Sequence, residues 1–181
     1  NEFKIAYASE IANDCLNYLK NTWTYNSAHY TNMVDGLVEN NKYGAIVGAL
    51  AESYKITRDA EGNQVWSFKL RDGLKWVDNA GNEKGDLTAK DFVNSAKYVL
   101  DAVNASSTAN LVTGFVKGAN AYYKGETTDF STVGVKASDD GKVISYTMVQ
   151  DCPYFNTVLT YSPYLPVHED CLKEFGTEFG A

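Results

Sequence analysis

The sequence predicts a mixed α/β domain built from antiparallel hairpins and helices. Apolar and polar residues alternate over residues 65–71 and again over residues 143–149, which is the period of a half-buried strand. Between these two strands, residues 88–103 carry apolar side chains at helical spacing. Because hairpins and helices follow each other in this order, we expect an α+β arrangement rather than a doubly wound parallel sheet.

The beginning of the chain carries a weaker pattern. Phe3, Ile5 and Tyr7 alternate with polar or small residues and predict a strand. Residues 11–30 have no clean period and are interpreted mostly as loop. A short helix is predicted over residues 28–37. Its inward side chains would be Met33, Val34 and Leu37, with Gly36 near its end.

Three turns rich in Gly, Asn and Asp predict hairpins. The first turn, residues 40–44, would join short strands at 37–39 and 46–47. The second, residues 59–63, would join a strand containing Tyr54 and Ile56 to the strand at 65–71. The third, residues 139–141, would join strands at 133–137 and 143–149.

The long helix at residues 88–103 has a recognisable start. Thr88 is followed three residues later by Asp91, which is a capping-box arrangement with Asp in place of Glu or Gln. Residues 77–86, before the helix, are predicted to form a long exposed loop without proline. The apolar face of the helix comprises Phe92, Val93, Ala96, Val99, Leu100 and Val103.

The remaining segments predict short helices separated by breaks. After a small polar break at residues 104–108, helices are expected from Leu111 to near Gly118 and over residues 119–124, followed by a polar connection at 127–132. Pro153 is predicted to open a helix that runs through Leu159. Residues 161–166 should be extended because of their prolines, and a last helix should run from His168 to Gly176.

Composition excludes several classes of protein. The chain has 181 residues, enough to form a core without a metal or a disulfide. A net charge of −7 and the absence of a basic cluster argue against a nucleic-acid binder. The three cysteines, Cys15, Cys152 and Cys171, allow at most one bridge and leave its pairing open. With two histidines and no Cys-x-x-Cys, we expect neither a metal site nor a cofactor.

The chain has no apolar run long enough to span a membrane and does not begin with a signal peptide. It begins Asn-Glu-Phe-Lys-Ile, which is already an alternation of polar and apolar residues. This pattern is compatible with a cytosolic protein and equally with a processed one.

Several segments, in order, resemble those of a known family. They are Asp35-Gly36-Leu37-Val38-Glu39, Leu50-Ala51-Glu52-Ser53-Tyr54, the run at residues 66–76 with Leu70-Arg71-Asp72-Gly73 and Lys75-Trp76, Leu87-Thr88-Ala89-Lys90-Asp91-Phe92-Val93, Pro153-Tyr154-Phe155, and Ser162-Pro163 with Pro166. Together they resemble the family 5 extracellular solute-binding proteins, the oligopeptide- and dipeptide-binding proteins of ABC importers. The sequence departs from the family pattern at Gly48, where proline is common, and in the longer segment at residues 77–86.

The resemblance implies a partial periplasmic-binding-protein-like fold of class II. The chain would correspond to roughly the first third of such a protein, an N-terminal fragment lacking the second lobe. Residues 1–35 would belong to the large lobe, residues 36–160 to a small inserted subdomain, and residues 161–181 to the return into the large lobe. The implied protein is a monomer that captures an oligopeptide or dipeptide for ABC importer permease subunits. It would sit in the periplasm or on the extracellular face of the membrane, held by a lipid anchor absent from this chain.

The family's peptide-contacting loop aligns with Thr22, Trp23 and Thr24. A second candidate ligand-binding segment, around Ser106 and Thr108, follows the long helix. An equally weighted interpretation has Trp23 packing between the lobes. Groups that fix the charged ends of a peptide are expected in the second lobe.

Other functions remain as alternatives. The same fold could bind an oligosaccharide, by stacking on Trp and Tyr faces, or a metal chelate. A hydrolytic enzyme would need acid–base groups, for which Glu52, Asp139 and Asp140 are conceivable, but no nucleophile–base pair is suggested by spacing. We therefore expect no catalytic residues. A structural surface module is the third possibility.

Overall fold

The computed structural model describes residues 16–20 and 24–180. The predicted strand around Phe3, Ile5 and Tyr7 lies outside these residues. Over the described part, the helices are α1 (Thr24–Tyr30), α2 (Ala89–Leu100), α3 (Ala109–Thr113), α4 (Ala119–Tyr123), α5 (Phe155–Val158) and α6 (Glu169–Phe175). The strands are β1 (Val38–Asn40), β2 (Ile46–Gly48), β3 (Ala51–Arg58), β4 (Gln64–Leu70), β5 (Lys75–Val77), β6 (Glu83–Asp86), β7 (Val135–Ala137) and β8 (Val143–Thr147).

A four-stranded antiparallel sheet with the order β3-β4-β8-β7 is the centre of the fold. Its register pairs Phe68 of β4 with Ile144 of β8, so both side chains point into the core. On the opposite face, the hydroxyl oxygens of Ser67 and Ser145 lie 2.9 Å apart. Two two-stranded hairpins, β1-β2 and β5-β6, lie outside this sheet. The mixed α/β class is therefore confirmed.

The core is rich in aromatic rings that meet mostly edge to face. Phe155 of α5 lies 5.9 Å from Trp66 and 5.4 Å from Tyr146, measured between ring centroids. Tyr164 completes the cluster at 5.5 Å from Phe155. Such pairs add about 0.5–1.5 kcal/mol each beyond the area that they bury. Helix α2 packs against β7 and β8 and closes the core with buried Phe92.

Four hairpin loops are built in the same way. In each, a glycine with positive φ donates its N–H to the carbonyl three residues earlier: Gly44, Gly62, Gly81 and Gly141, with φ between 69° and 86°. In the loop at 59–63, the Asp59 carboxylate also accepts the N–H groups of Glu61 and Asn63 at 2.9 Å each. Three of these loops are the predicted turns. The fourth, around Gly81, corrects the prediction of a simple exposed loop at residues 77–86, because β5 and β6 form a hairpin there.

Several predicted segments near the helices need correction. The loop predicted over residues 11–30 contains α1, and the helix predicted over 28–37 ends at Tyr30, so Met33 is 58% exposed rather than inward. Helix α3 ends at Thr113, before the predicted Gly118. Residues 162–164 form a 3-10 turn instead of an extended strand, although Leu165 before Pro166 is extended, as predicted.

Helix α2 ends one turn earlier than predicted. Its start is confirmed, since Thr88 and Asp91 form a complete capping box. At its end, Asp101 is extended, and its carboxylate accepts the N–H of Val103 at 3.0 Å. This contact begins a 3-10 turn that points Val103 outward, and Val103 is 89% exposed. Val103 is thus not part of the apolar face.

Candidate functional site

The loop at residues 106–108 lies directly against the segment at residues 16–20. Ser106 donates its hydroxyl to the carbonyl oxygen of Leu19 at 2.6 Å. Ser107 donates both its N–H, at 2.9 Å, and its hydroxyl, at 3.0 Å, to the carbonyl oxygen of Lys20. The candidate segment at residues 106–108 is therefore fixed against the backbone of Leu19 and Lys20.

Two further side chains fix the segment at residues 16–20. Asn17 is buried, and its amide nitrogen donates to the hydroxyl of Tyr98 on α2 at 2.8 Å. The other end of the Asn17 side chain accepts the backbone N–H groups of Leu19 and Lys20 at 3.2 and 3.1 Å. This arrangement turns the chain tightly just before the predicted ligand-contacting residues.

Tyr18 connects the same segment to the end of the chain. Its hydroxyl donates to the carbonyl oxygen of Pro166 at 2.8 Å, and its ring lies 5.8 Å from that of Phe179. Burial raises the pKa of Tyr18 well above its ordinary value, so its hydroxyl keeps its proton and acts as a donor. The backbone N–H of Leu16 donates to the carbonyl oxygen of Gly180 at 3.1 Å.

The predicted site residues fall into two groups. Thr22 and Trp23 lie outside the described residues, and Thr24 is the first residue of α1. Ser106 and Thr108 are each 6% exposed, and their hydroxyl oxygens lie 3.2 Å apart. These two hydroxyls are already engaged within the protein and suit positioning of the loop better than contact with a ligand.

Sequence reasoning missed Asn17, Tyr18 and Tyr98 as parts of this arrangement. Asn17 and Tyr18 stand in the stretch without a clean period, where no pattern separates a buried side chain from an exposed one. Tyr98 is a polar-tipped aromatic residue beside the apolar face of α2, where its half-buried ring places the hydroxyl on Asn17. A buried tyrosine hydroxyl needs a hydrogen-bond partner, and this need was the only available signal in the sequence that Tyr98 contacts another polar group.

A second polar cluster surrounds the start of α2. The backbone N–H of Thr88 donates to the Asp91 carboxylate at 2.7 Å, and the rings of Trp76 and His168 meet edge to face at 5.9 Å beside it. Burial raises the pKa of Asp91, an effect that the Thr88 N–H, Trp76 and His168 partly offset. The cluster joins the β5-β6 hairpin to α2 and to the start of α6.

The carboxylates considered for catalysis have structural partners. Glu52 forms an ion pair with Lys69 at 2.7 Å. Asp140 accepts the Ser138 hydroxyl at 2.6 Å and the Lys142 N–H at 3.0 Å, which is a turn-forming role. Asp139 stands beside it in the same turn. Within residues 16–20 and 24–180, no group of three or more His, Cys, Asp or Glu side chains is arranged to hold a metal ion.

Cys152 and Cys171, the two cysteines that lie within the described part of the chain, are not bonded to each other. None of the helices formed by the described residues combines the length and the apolar composition that crossing a membrane requires.

Comparison with known proteins identifies the family. Residues 45–180 match the bacterial extracellular solute-binding proteins, family 5 middle. The chain is 38% identical over 178 residues to the oligopeptide-binding protein AliB of Streptococcus pneumoniae, covering 98% of this chain and 26% of AliB. It is 36% identical over 173 residues to the oligopeptide-binding protein SarA of Streptococcus gordonii, covering 96% of this chain and 25% of SarA.

A solved structure agrees with these sequence matches. The substrate-binding domain of an oligopeptide ABC transporter from Bacillus anthracis superposes with a TM-score of 0.78 at 32% identity, covering 91% of this chain and 30% of that one. The chain thus spans about a quarter of the length of the curated relatives that it matches. The family match covers well over half of the chain, and the chain belongs to the family 5 bacterial extracellular solute-binding proteins.

Proposed function

We propose that the protein containing this chain binds peptides outside the cytoplasm and delivers them to the permease subunits of an ABC importer. Membership of an extracellular solute-binding family supports the location and the absence of catalysis. The relatives AliB and SarA are oligopeptide-binding proteins, which supports a peptide ligand. The protein would act as a monomer held at the membrane by a lipid anchor.

The contact between Ser107 and Lys20 carries the proposal for the site. Both donors of Ser107 bind the Lys20 carbonyl, and Lys20 precedes Thr22 by two residues in the sequence, which supports a single site formed by both segments. We assign ligand contact to Thr22, Trp23 and Thr24, and positioning of the loop to Ser106 and Thr108. An aromatic side chain between two hydroxyl-bearing residues suits sequence-tolerant peptide binding, in which hydrogen bonds to the peptide main chain supply affinity and a ring packs against variable side chains.

The proposed site lies where the proposed lobes meet. Residues 1–35 and 161–181 would form part of a large lobe, and residues 36–160 an inserted subdomain. The hydrogen bond from Tyr18 to Pro166 and the ring contact from Tyr18 to Phe179 join the first of these segments to the last, which supports that division. A second lobe would close over the ligand and bury it.

Identification of the ligand tests this function. Ligands carried through purification of the longest protein containing this chain should be peptides when analysed by mass spectrometry. Calorimetry with synthetic copies of those peptides should give a much weaker affinity for the 181-residue chain than for the longer protein. A sugar or a metal chelate as the bound species would overturn the proposal, and so would equal affinities.

Substitution of Trp23 tests the site separately. In the longer protein, Trp23→Ala should weaken peptide binding roughly tenfold or more, because an aromatic contact in a ligand site contributes over 1 kcal/mol. Tyr43→Ala, at a position that is 81% exposed in the β1-β2 hairpin loop, is the matched aromatic control and should leave the affinity unchanged. Unchanged affinity in the Trp23 variant would remove this residue from the site.

A further inference from the structure

A groove with a positive rim runs along the exposed side of α2. Lys90 and Lys97 of α2 stand on one side of it and Lys136 of β7 on the other, around a cavity of about 500 Å³. A second cavity of about 290 Å³ adjoins it and shares Asn94 and Lys97. We call this surface the α2 groove. Its charge is opposite to that of the chain as a whole, which is −7.

The lysines of the α2 groove are free to meet a ligand. Within residues 16–20 and 24–180, six other lysines form ion pairs: Lys69, Lys75, Lys84, Lys117, Lys142 and Lys173. In the same part of the chain, Lys90, Lys97 and Lys136 form none. Lys97 is nevertheless held in place, because its ammonium lies over the ring of Phe130, 5.4 Å from the ring centroid.

The floor of the α2 groove is apolar. Val93 and Ala137 are half-buried there, and Val135 is buried. Two carboxylates line the groove: Glu169, which borders both cavities and is paired with Lys173 at 2.7 Å, and Asp101, which borders the smaller cavity and accepts the N–H of Val103 at 3.0 Å. An apolar floor with unpaired cations on both sides is complementary to a ligand that has an apolar or neutral body and several negative groups.

The spacing of the lysines indicates the shape of that ligand. Lys90 and Lys97 lie two turns apart on α2, roughly 10 Å along its axis. Three residues of an extended chain in the polyproline-II conformation span about 9 Å, and every third side chain lies on the same face of such a chain. A compact anion such as phosphate would reach one of these two ammonium groups, whereas an extended chain reaches both. Asn94 lies between them on the same side of the helix and offers its amide to a passing backbone.

We propose that the α2 groove binds an extended acidic segment of a partner protein, with carboxylates about three residues apart. The segment lies along α2, its carboxylates pair with Lys90 and Lys97, and Lys136 closes on it from β7. This inference does not rest on the proposed function, because the groove uses none of the residues assigned to the peptide ligand there.

Binding of a labelled peptide tests the proposal. The probe is fluorescent Glu-Ala-Ala-Glu-Ala-Ala-Glu, followed by anisotropy on the full chain, with the Gln-for-Glu peptide as its neutral counterpart. Replacing the three lysines together (Lys90→Gln, Lys97→Gln, Lys136→Gln) should weaken binding roughly tenfold or more. The matched control removes three other lysines that form no ion pair within the described residues (Lys42→Gln, Lys55→Gln, Lys124→Gln) and should change the affinity less than about twofold.

Glu169→Gln supplies a test in the opposite direction. It removes a negative charge from the groove lining and should tighten binding of the acidic peptide. As a control for folding, all variants should keep the wild-type circular dichroism spectrum, and their melting temperatures should stay within a few degrees of the wild type.

Four results would overturn the proposal. The first is that the control triple substitution weakens binding of the acidic peptide as much as the groove triple does, and the second is that the neutral peptide binds equally well. The third is that an equal concentration of inorganic phosphate displaces the peptide. The fourth is that the protein does not bind the peptide but sediments with phosphatidylglycerol vesicles in a way that depends on the three lysines. Equal weakening by the control triple would show a general attraction between charges, and equal binding of the neutral peptide would show that charge plays no part. Displacement by phosphate would indicate a site for small anions. Sedimentation with the vesicles would indicate a surface that faces a membrane.

Discussion

At the scale of single residues, the site depends on a few buried hydroxyl groups. Ser106 donates to the Leu19 carbonyl from a position with almost no access to water. Replacing it with alanine leaves that carbonyl without its partner, and a buried acceptor without a hydrogen bond costs about 1–3 kcal/mol. We expect Ser106→Ala to lower the free energy of unfolding by this amount in urea denaturation.

Ser107→Ala is the matched control for that substitution. Ser107 is exposed, and its backbone N–H still donates to the Lys20 carbonyl after the hydroxyl is removed. Ser107→Ala should therefore lower the free energy of unfolding by less than about 1 kcal/mol. Equal losses at both positions would contradict the view that Ser106 is the buried anchor of the loop.

Asp91 introduces a dependence of stability on pH. Burial raises its pKa above the ordinary value of 3.8. Its contribution to stability is therefore fully present below that ordinary value and is lost as the pH rises through the higher pKa of the folded state. Asp91→Asn resembles the protonated form and keeps an acceptor for the Thr88 N–H.

We expect the melting temperature of the wild type, relative to that of Asp91→Asn, to decrease as the pH rises above 3.8, the ordinary pKa of aspartate. Other carboxylates contribute equally to both proteins and cancel in the difference. A melting temperature difference that stays constant, or that changes in the opposite sense, would contradict a raised pKa.

At the scale of elements, glycines set the hairpin loops. Gly81 has a φ of 83°, which a residue with a Cβ adopts at a cost of about 1–2 kcal/mol. Gly81→Ala should therefore reduce the free energy of unfolding by about 1 kcal/mol. Gly81→Asn is the control, because asparagine tolerates this conformation. It should lower the free energy of unfolding clearly less than Gly81→Ala does. Chemical denaturation measures both, and equal losses would point to a cause other than backbone strain.

The same loop shows how far the sequence predicts elements. Residues 59–63 and 78–82 both follow the pattern Asp-x-x-Gly-Asn, and both form the same turn. Only the first was predicted, because its flanking strands alternate between apolar and polar residues. The strand β6 consists of Glu83, Lys84, Gly85 and Asp86, all exposed, so no buried face marks it. For the β5-β6 hairpin, the only pattern in the sequence that indicates it is the turn at residues 78–82.

Helix α2 illustrates the complementary limit. Its start was predicted because the capping residues and the apolar face indicate the same boundary. Its end was not, because Val103 continues the helical spacing of apolar residues. Asp101 captures the Val103 N–H and redirects the chain, and this local contact overrides the periodicity. Apolar spacing alone therefore places a helix better than it places the helix end.

At the scale of the whole molecule, residues far apart in sequence hold the candidate site together. The segment at residues 16–20 contacts Tyr98, Ser107, Pro166 and Gly180. None of these contacts follows a local period, which is why the two hairpins of the sheet could be predicted from the sequence and this arrangement could not. The resemblance to a family indicated the loop at Ser106 and Thr108, and the fold places this loop against the backbone of Leu19 and Lys20.

Tyr18 is the centre of that long-range arrangement. Its hydroxyl binds the Pro166 carbonyl, and its ring lies against Tyr30 and Phe179, so it joins α1 to the end of the chain. The segment is peripheral to the sheet and should open as a unit of its own at a lower free energy than the sheet. Tyr18→Phe removes the hydroxyl while keeping the ring, and leaves a buried carbonyl without a donor at a cost of about 1–3 kcal/mol.

Hydrogen exchange distinguishes local from global opening. In Tyr18→Phe, the amides of Lys20 and Ser107 should exchange faster by roughly tenfold or more, because 1.4 kcal/mol corresponds to a factor of ten in the opening equilibrium. Amides of Phe68 and Ile144 in the sheet should lose less protection, and the control Tyr43→Phe should change neither group. Equal acceleration at Phe68 and Ser107 would mean that the segment opens only with the whole protein, and the position of the candidate site would then be set by global folding rather than by Tyr18.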